Sequence, residues 1–175
     1  GRLTKYDRYL MEKRFYALSH IHNVLVKHVR KLLKRLEHDK KYQDALKEYI
    51  ELGKLKELKK PQKQRKSELG KFLSDTRKEL GLSEYGLQSY IKLCYKRYNK
   101  CLSSQQVQKE ASRVWKSADK YLFENGKEIH FKKYRDFDTI GGKSNTNGAK
   151  FDKDNMVVDW IGMILPCILP KKDKD

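Results

Sequence analysis

A chain of 175 residues has room for one ordinary domain with a packed core, or for two small ones, and this one carries a formal net charge of +18. Charged residues make up 37% and hydrophobic ones 38%, a balance that would mean disorder if the apolar residues were scattered; their regular spacing excludes that and indicates helices with heavily solvated faces. Residues 1–126 hold 31 Lys/Arg against 15 Asp/Glu and residues 127–170 hold 7 against 6, so the excess charge belongs to the first part and points to a polyanionic partner, of which nucleic acid is the commonest.

Thr4 with Asp7 can cap a first helix, from which Tyr6, Leu10, Leu18, Ile21, Leu25, Val29, Leu32 and Leu36 trace a helical stripe to about Glu37. A helix that long needs a partner helix. Lys27, Arg30, Lys31, Lys34 and Arg35 crowd its second half and form a basic face. His20, His22, His28 and His38 lie on or near it without a carboxylate-rich partner pattern, so metal binding is not expected. Residues 40–60 read as a second helix through Tyr42, Leu46, Tyr49 and Ile50, followed by a charged break around Pro61 that is the candidate mobile loop. Ser67 then opens a short helix that Gly81 closes. Ser83 caps the next, with Leu87, Ile91, Cys94, Tyr98 and Cys101 as its apolar stripe and Lys92, Lys96 and Lys100 as a second basic row. Tyr85, Tyr90, Tyr95 and Tyr98 are dense here; most should be half-buried packing residues, with one or two able to stack on a base.

The stretch 102–133 joins two regimes. Val107, Ala111, Val114, Ala118 and Leu122 fall on one helical stripe, Ser103 and Gln106 form a capping box, and Asn125-Gly126 supplies a stop. Lys109, Arg113, Lys116 and Lys120 repeat roughly 200° away around the helix, a third basic face. After Gly126 the period becomes 2. Residues 128–133 and the D-F-D-T-I segment read as short strands, A-K-F to M-V-V-D-W as a hairpin, and Trp160–Leu169 as a buried strand that Pro166 pushes toward an edge. Four or five such strands need the helices, or another strand, to cover them. The expected fold is therefore α+β: a mainly helical basic lobe over residues 1–126, then a small antiparallel, barrel-like portion over 127–175.

Catalytic signatures are lacking. Asp136, Asp138, Asp152, Asp154 and Asp159 could serve two-metal chemistry, but D-K-D-N reads as a turn in which Asp bonds nearby backbone. Gly141-Gly142-Lys143-Ser144 lacks the upstream glycine of a phosphate loop. Cys94, Cys101 and Cys167 form no CxxC pair, which fits reduced thiols in the cytoplasm rather than a disulfide framework or zinc site. The apolar run at Trp160 is far shorter than the roughly 20 residues of a membrane span, no signal peptide precedes Leu3, and the start at Gly1 suggests a trimmed or excised segment. No metal and no cofactor is expected in this chain.

The junction L-S-S-Q-Q-V-Q-K-E-A-S-R-V-W-K-S-A-D-K-Y-L-F, followed by I-H-F-K-K, resembles the corresponding stretch of the transposon-encoded TnpB nucleases and the type V CRISPR effectors. I-H-N-V-L at residues 21–25, with Asn23, is similar to a helix segment of that family, and G-A-K-F-D-K-D-N-M-V-V-D-W-I-G-M-I-L to the hairpin leading toward its nuclease domain. The resemblance implies a recognition lobe over residues 1–126 and a wedge-type β-barrel portion after it, working on guide RNA and target DNA and helping to read a short adjacent DNA motif. Two departures stand out: no strand precedes the first helix, and the RuvC-like domain, which would need Mg²⁺, is absent from the chain.

The residues thus expected to meet phosphate are Lys27, Arg30, Lys31, Lys34, Arg35, Lys92, Lys96, Lys100, Lys109, Arg113, Lys116 and Lys120. Ser104, Gln105 and Gln108 are the candidate base-edge readers, with plain N-terminal capping as their alternative role. The expected function is nucleic-acid binding within an RNA-guided DNA endonuclease, without a catalytic centre of its own and without a membrane partner, a homodimer remaining open. The competing readings are a basic helical scaffold or adaptor for an acidic protein, and a small nuclease using the sheet aspartates.

Overall fold

Thr4 and Asp7 cap each other's backbone, Asp7 N donating to Thr4 Oγ1 at 3.1 Å and Thr4 N to Asp7 Oδ2 at 2.9 Å, and so begin the helix about which the molecule is built. In the computed structural model, which describes residues 3–123, 126, 128–141 and 149–167, this helix, α1, runs Lys5–His38. Its stripe packs as expected from Leu18 to Leu36, but Tyr6 is exposed, and Ala17, Val26 and Leu33 widen the buried face. Asp39 alone separates α1 from α2 (Lys40–Lys54) and caps it, accepting from Tyr42 N at 3.1 Å.

The expected loop around Pro61 is a helix instead. α3 spans Lys60–Glu79, with Pro61 in its first turn, where its missing N–H costs nothing and its fixed φ suits the helix. Only residues 55–59 remain as connection. α2 and α3 form a hairpin clamped by Arg65, whose Nε and Nη2 reach the two Glu48 carboxylate oxygens at 2.7 and 2.8 Å. Gly81 ends α3 as expected. Its φ of +79° allows Gly81 N to bond Lys78 O at 2.9 Å and Leu82 N to bond Arg77 O at 2.8 Å, while Leu82 is buried.

α4 covers Glu84–Tyr95, shorter than its apolar stripe implied. Residues 96–101 form turns that carry Leu102 into the core, with Tyr95 Oη bonding Leu102 O at 3.0 Å. α5, Ser104–Phe123, starts on the expected capping box: Ser103 N donates to Gln106 Oε1 at 2.9 Å and Gln106 N to Ser103 Oγ at 3.3 Å. Asn125, the other half of the expected stop, lies outside the described residues. One hydrophobic cluster joins all five helices, and Ile129 and Phe137 belong to it.

Residues 128–133 are not the strand that their alternation predicts. They are extended, but the backbone bonds of Ile129 and Lys132 go to side chains of α1: Ser19 Oγ and Asn23 Nδ2 donate to Lys132 O at 2.9 Å each, Lys132 N donates to Asn23 Oδ1 at 2.9 Å, and Arg30 reaches Ile129 O through Nε at 3.1 Å and Nη2 at 2.7 Å. Arg30 also bonds Glu128. The D-F-D-T-I segment is likewise no strand, and its first residue closes a 3-10 turn, Tyr134–Asp136.

The described sheet has three antiparallel strands in the order β1 (Ala149–Asp152), β2 (Val157–Trp160) and β3 (Met163–Pro166), and it is open rather than closed into a barrel. The expected hairpin is present, with Ala149 opposite Trp160. The expected strand from Trp160 is divided: Trp160 ends β2, Ile161 and Gly162 make a two-residue turn with φ of 50° and 74°, and Pro166 ends the edge strand β3. Ile168 and Leu169 lie outside the described residues. Arg14 docks this sheet on α1, bonding Trp160 O and, at 3.0 Å, Ile161 O, with its guanidinium 4.5 Å from the Trp160 ring centroid.

A polar knot lies inside the helical core. Glu110, 1% exposed, holds His22 Nδ1 at 2.8 Å and Arg113 Nη1 at 3.2 Å, and His22 Nε2 faces His130 O at 3.1 Å. A carbonyl only accepts, so Nε2 donates, and the imidazole bridges α5 to the extended segment. Glu110→Ala is expected to cost about 3 kcal/mol, because it leaves the buried His22 Nδ1 without its partner and also releases Arg113. Arg113→Ala should cost less, its side chain being 37% exposed. Urea unfolding of the two variants checks the order.

Candidate nucleic-acid interface

α1 faces two ways in its second half. Toward residues 128–133 it presents His22, Asn23 and Arg30; on its open side it presents Lys27, Lys31, Lys34 and Arg35, all exposed. These four line a groove of about 820 Å³ between α1 and α4, together with Val24, His28, Arg30, Leu32 and Tyr90. No carboxylate is among its lining residues. Lys27, Lys31, Lys34 and Arg35 make a positive trough, Arg30 at its edge having its charge met by Glu128, and low-dielectric walls such as Val24 and Leu32 focus the field. A larger groove of about 910 Å³ lies among α1, α2, α3 and the end of α5. It is lined mostly by Leu, Ile, Tyr and Phe and includes Glu37, so it does not suit a polyanion.

The other expected contacts are dispersed. Lys92 is exposed on α4, whereas Lys96 and Lys100 lie in the turns after it, so the three do not form a helical row. On α5, Lys109, Lys116 and Lys120 are exposed, but Arg113 is engaged: beside its bond to Glu110 it reaches Thr139 Oγ1 at 3.5 Å. Gly141 lies over this face, where an added Cβ would meet Arg113 Nη2 at 3.4 Å and Lys109 Cγ at 3.7 Å. Arg30 lines the groove but is committed to Ile129 and Glu128, with Phe131 under its guanidinium at 4.6 Å. At the start of α5, Ser104 is exposed and Gln105 and Gln108 are half-buried; the capping that was their alternative role is performed by Ser103 and Gln106.

Arginine and lysine divide the work. Arg14, Arg30, Arg65, Arg77, Arg113 and Arg135 each donate to a protein oxygen, as suits a planar fork. Among the described residues the lysine ammonium groups make one ion pair, Lys78 with Asp75 at 4.0 Å. The external field is therefore mainly a lysine field.

Three of the five aspartates of the sheet region, Asp136, Asp152 and Asp159, serve turns. Asp152 Oδ1 accepts from Asp154 N at 3.0 Å and Asn155 N at 3.1 Å, as the D-K-D-N pattern implied, and these bonds with Asn155 Nδ2 hold its carboxyl below the usual range. Asp136 accepts from Lys133 N at 2.7 Å and Asp159 from Gly162 N at 2.9 Å. Among the described residues no group of three His, Cys, Asp or Glu could hold a metal ion, and no helix is long and apolar enough to cross a membrane. Gly142, Lys143 and Ser144 lie outside the described residues.

Comparison with protein-family models, curated proteins and solved structures gave no match for this chain. The interface is therefore read from its own geometry.

Sequence reasoning missed His28 as a member of the groove. Its ring stacks on Tyr90 with centroids 3.6 Å apart and planes 4° from parallel. Partial burial, and then the charges of Lys31 and Arg35, push its imidazole below the ordinary value of 6.5. As pH falls below about 6.5 the unfolded chain binds a proton that the folded one resists, so this residue makes stability decline with acidification. The urea midpoint should fall between pH 7.5 and 5.5, and His28→Phe, which keeps a ring on Tyr90, should flatten that part of the slope.

Proposed function

We propose that this chain binds nucleic acid by its phosphates along the α1–α4 groove, as the RNA- and DNA-holding portion of an RNA-guided DNA endonuclease, with no hydrolytic centre of its own. The observation that carries the reading is the groove itself: Lys27, Lys31, Lys34 and Arg35 converge on one acid-free trough. The i, i+4, i+7 spacing of the three lysines lays their charges along about 10 Å of helix axis, so they can follow a strand rather than grip a single ion. A compact anion would use a tight cluster of donors. A polyanion uses a row.

The narrower assignment, to guide RNA and target heteroduplex, rests on the junction and hairpin stretches that resemble TnpB-like nucleases. In that reading the open sheet corresponds to the wedge portion. Phosphate contacts then supply affinity, and sequence is read by base pairing.

Binding to structured RNA, compared with duplex DNA of equal length, tests the reading by its salt dependence. The wild-type affinity should fall steeply with salt, and the triple variant Lys27→Glu, Lys31→Glu, Lys34→Glu should bind at least about tenfold more weakly, with a log–log salt slope shallower by about 2 to 3. Unchanged affinity in the folded variant would remove the groove from the interface. Tight binding to an acidic polypeptide, with none to RNA, would favour the adaptor instead.

A further inference from the structure

Charge alone does not account for the chemistry of the groove. A trough built only for phosphate has no use for aromatic surface, yet His28 and Tyr90 form a parallel stacked pair among its lining residues. The two rings come from different helices, 62 positions apart in the chain, so the pair is a product of the α1–α4 packing.

We propose that the stacked pair is a base platform, making the groove a subsite for unpaired nucleotides: one base stacks on the His28–Tyr90 pair while the flanking phosphates lie on Lys27, Lys31, Lys34 and Arg35. This deepens the nucleic-acid reading given above and rests on it. In a duplex each base already stacks on its neighbours and its flat faces are closed to the protein. An unpaired base offers a π face, and stacking on an aromatic ring accepts any base. The imidazole fits this role because its partial burial beside Lys31 and Arg35 favours the neutral ring, which can present a flat face without adding to the charge. Lys27 and Arg35 flank the platform on α1, one residue before and seven residues after His28, so phosphates on either side of the stacked nucleotide have a cation to meet. The subsite thus selects single-stranded or looped nucleic acid over a duplex and over a polyanion that has no bases.

The test compares three probes on the wild-type chain by fluorescence anisotropy or competition: single-stranded oligoadenylate, the same strand paired with its complement, and inorganic polyphosphate of matched charge. The single strand should bind most tightly. Tyr90→Ala should weaken it about tenfold, while polyphosphate binding stays within about twofold and Tyr90→Phe behaves as wild type. Because Tyr90 is half-buried, photo-crosslinking of a bromouridine-substituted strand to the unaltered protein gives an independent readout, and the adduct should map to Tyr90 or His28. Equal affinity for oligoadenylate and polyphosphate, or a crosslink mapping to another helix, overturns the platform while leaving phosphate binding intact. Failure of every probe to bind overturns the underlying reading as well.

Discussion

Backbone that leaves a helical bundle without joining a sheet must find hydrogen-bond partners elsewhere, and in this molecule they stand on the side of α1. Ser19, His22, Asn23 and Arg30 recur at helical spacing along one face and take up the backbone groups of Ile129, His130 and Lys132. Asn23 both donates to and accepts from Lys132, imitating the neighbouring strand that is missing. Where water is kept out, as at Ile129, leaving such a group unpaired would cost about 1 to 3 kcal/mol, and the polar face thereby helps to fix the path of the chain after α5. It also fixes α5, because His22 meets Glu110 from one side while His130 closes the other.

This arrangement decides which positive charge is available outside. The face of α1 that clamps the extended segment consumes Arg30, and the Glu110 knot consumes Arg113. What remains exposed on the adjoining face of α1 is a lysine row beside α4. α5 has a basic row of similar periodicity, but residues 139–141 pass over part of it. Two helices with the same charge pattern in sequence therefore have different surroundings, and the row on α1 borders an acid-free groove.

The features legible in the sequence are those set by neighbours in the chain. The Thr4–Asp7 and Ser103–Gln106 boxes, the glycine end of α3, the stripes of α1 and α5 and the 149–160 hairpin each depend on residues a few positions apart. Pro61 misled because a proline that breaks a helix from within also starts one well. Residues 128–133 were legible as extended and illegible as partnered, since period 2 records that side chains alternate and not what the backbone bonds. Nothing near Glu110 in the chain marks it as buried, since its partner His22 is 88 residues away. The tyrosine cluster was visible, but the choice of Tyr90 is made by the packing of α4 against α1.

The use of six arginines as clamps on protein oxygens, with the exterior left mainly to lysine beside Arg35, separates two properties that usually vary together. A guanidinium at pH 7 is fixed in charge and, here, fixed in place; a solvent-facing primary amine can be capped by an acyl group that erases its charge without disturbing a hydrogen bond of the scaffold. Grip on a polyanion can thus be graded one acyl group at a time on a frame whose folding is left almost untouched.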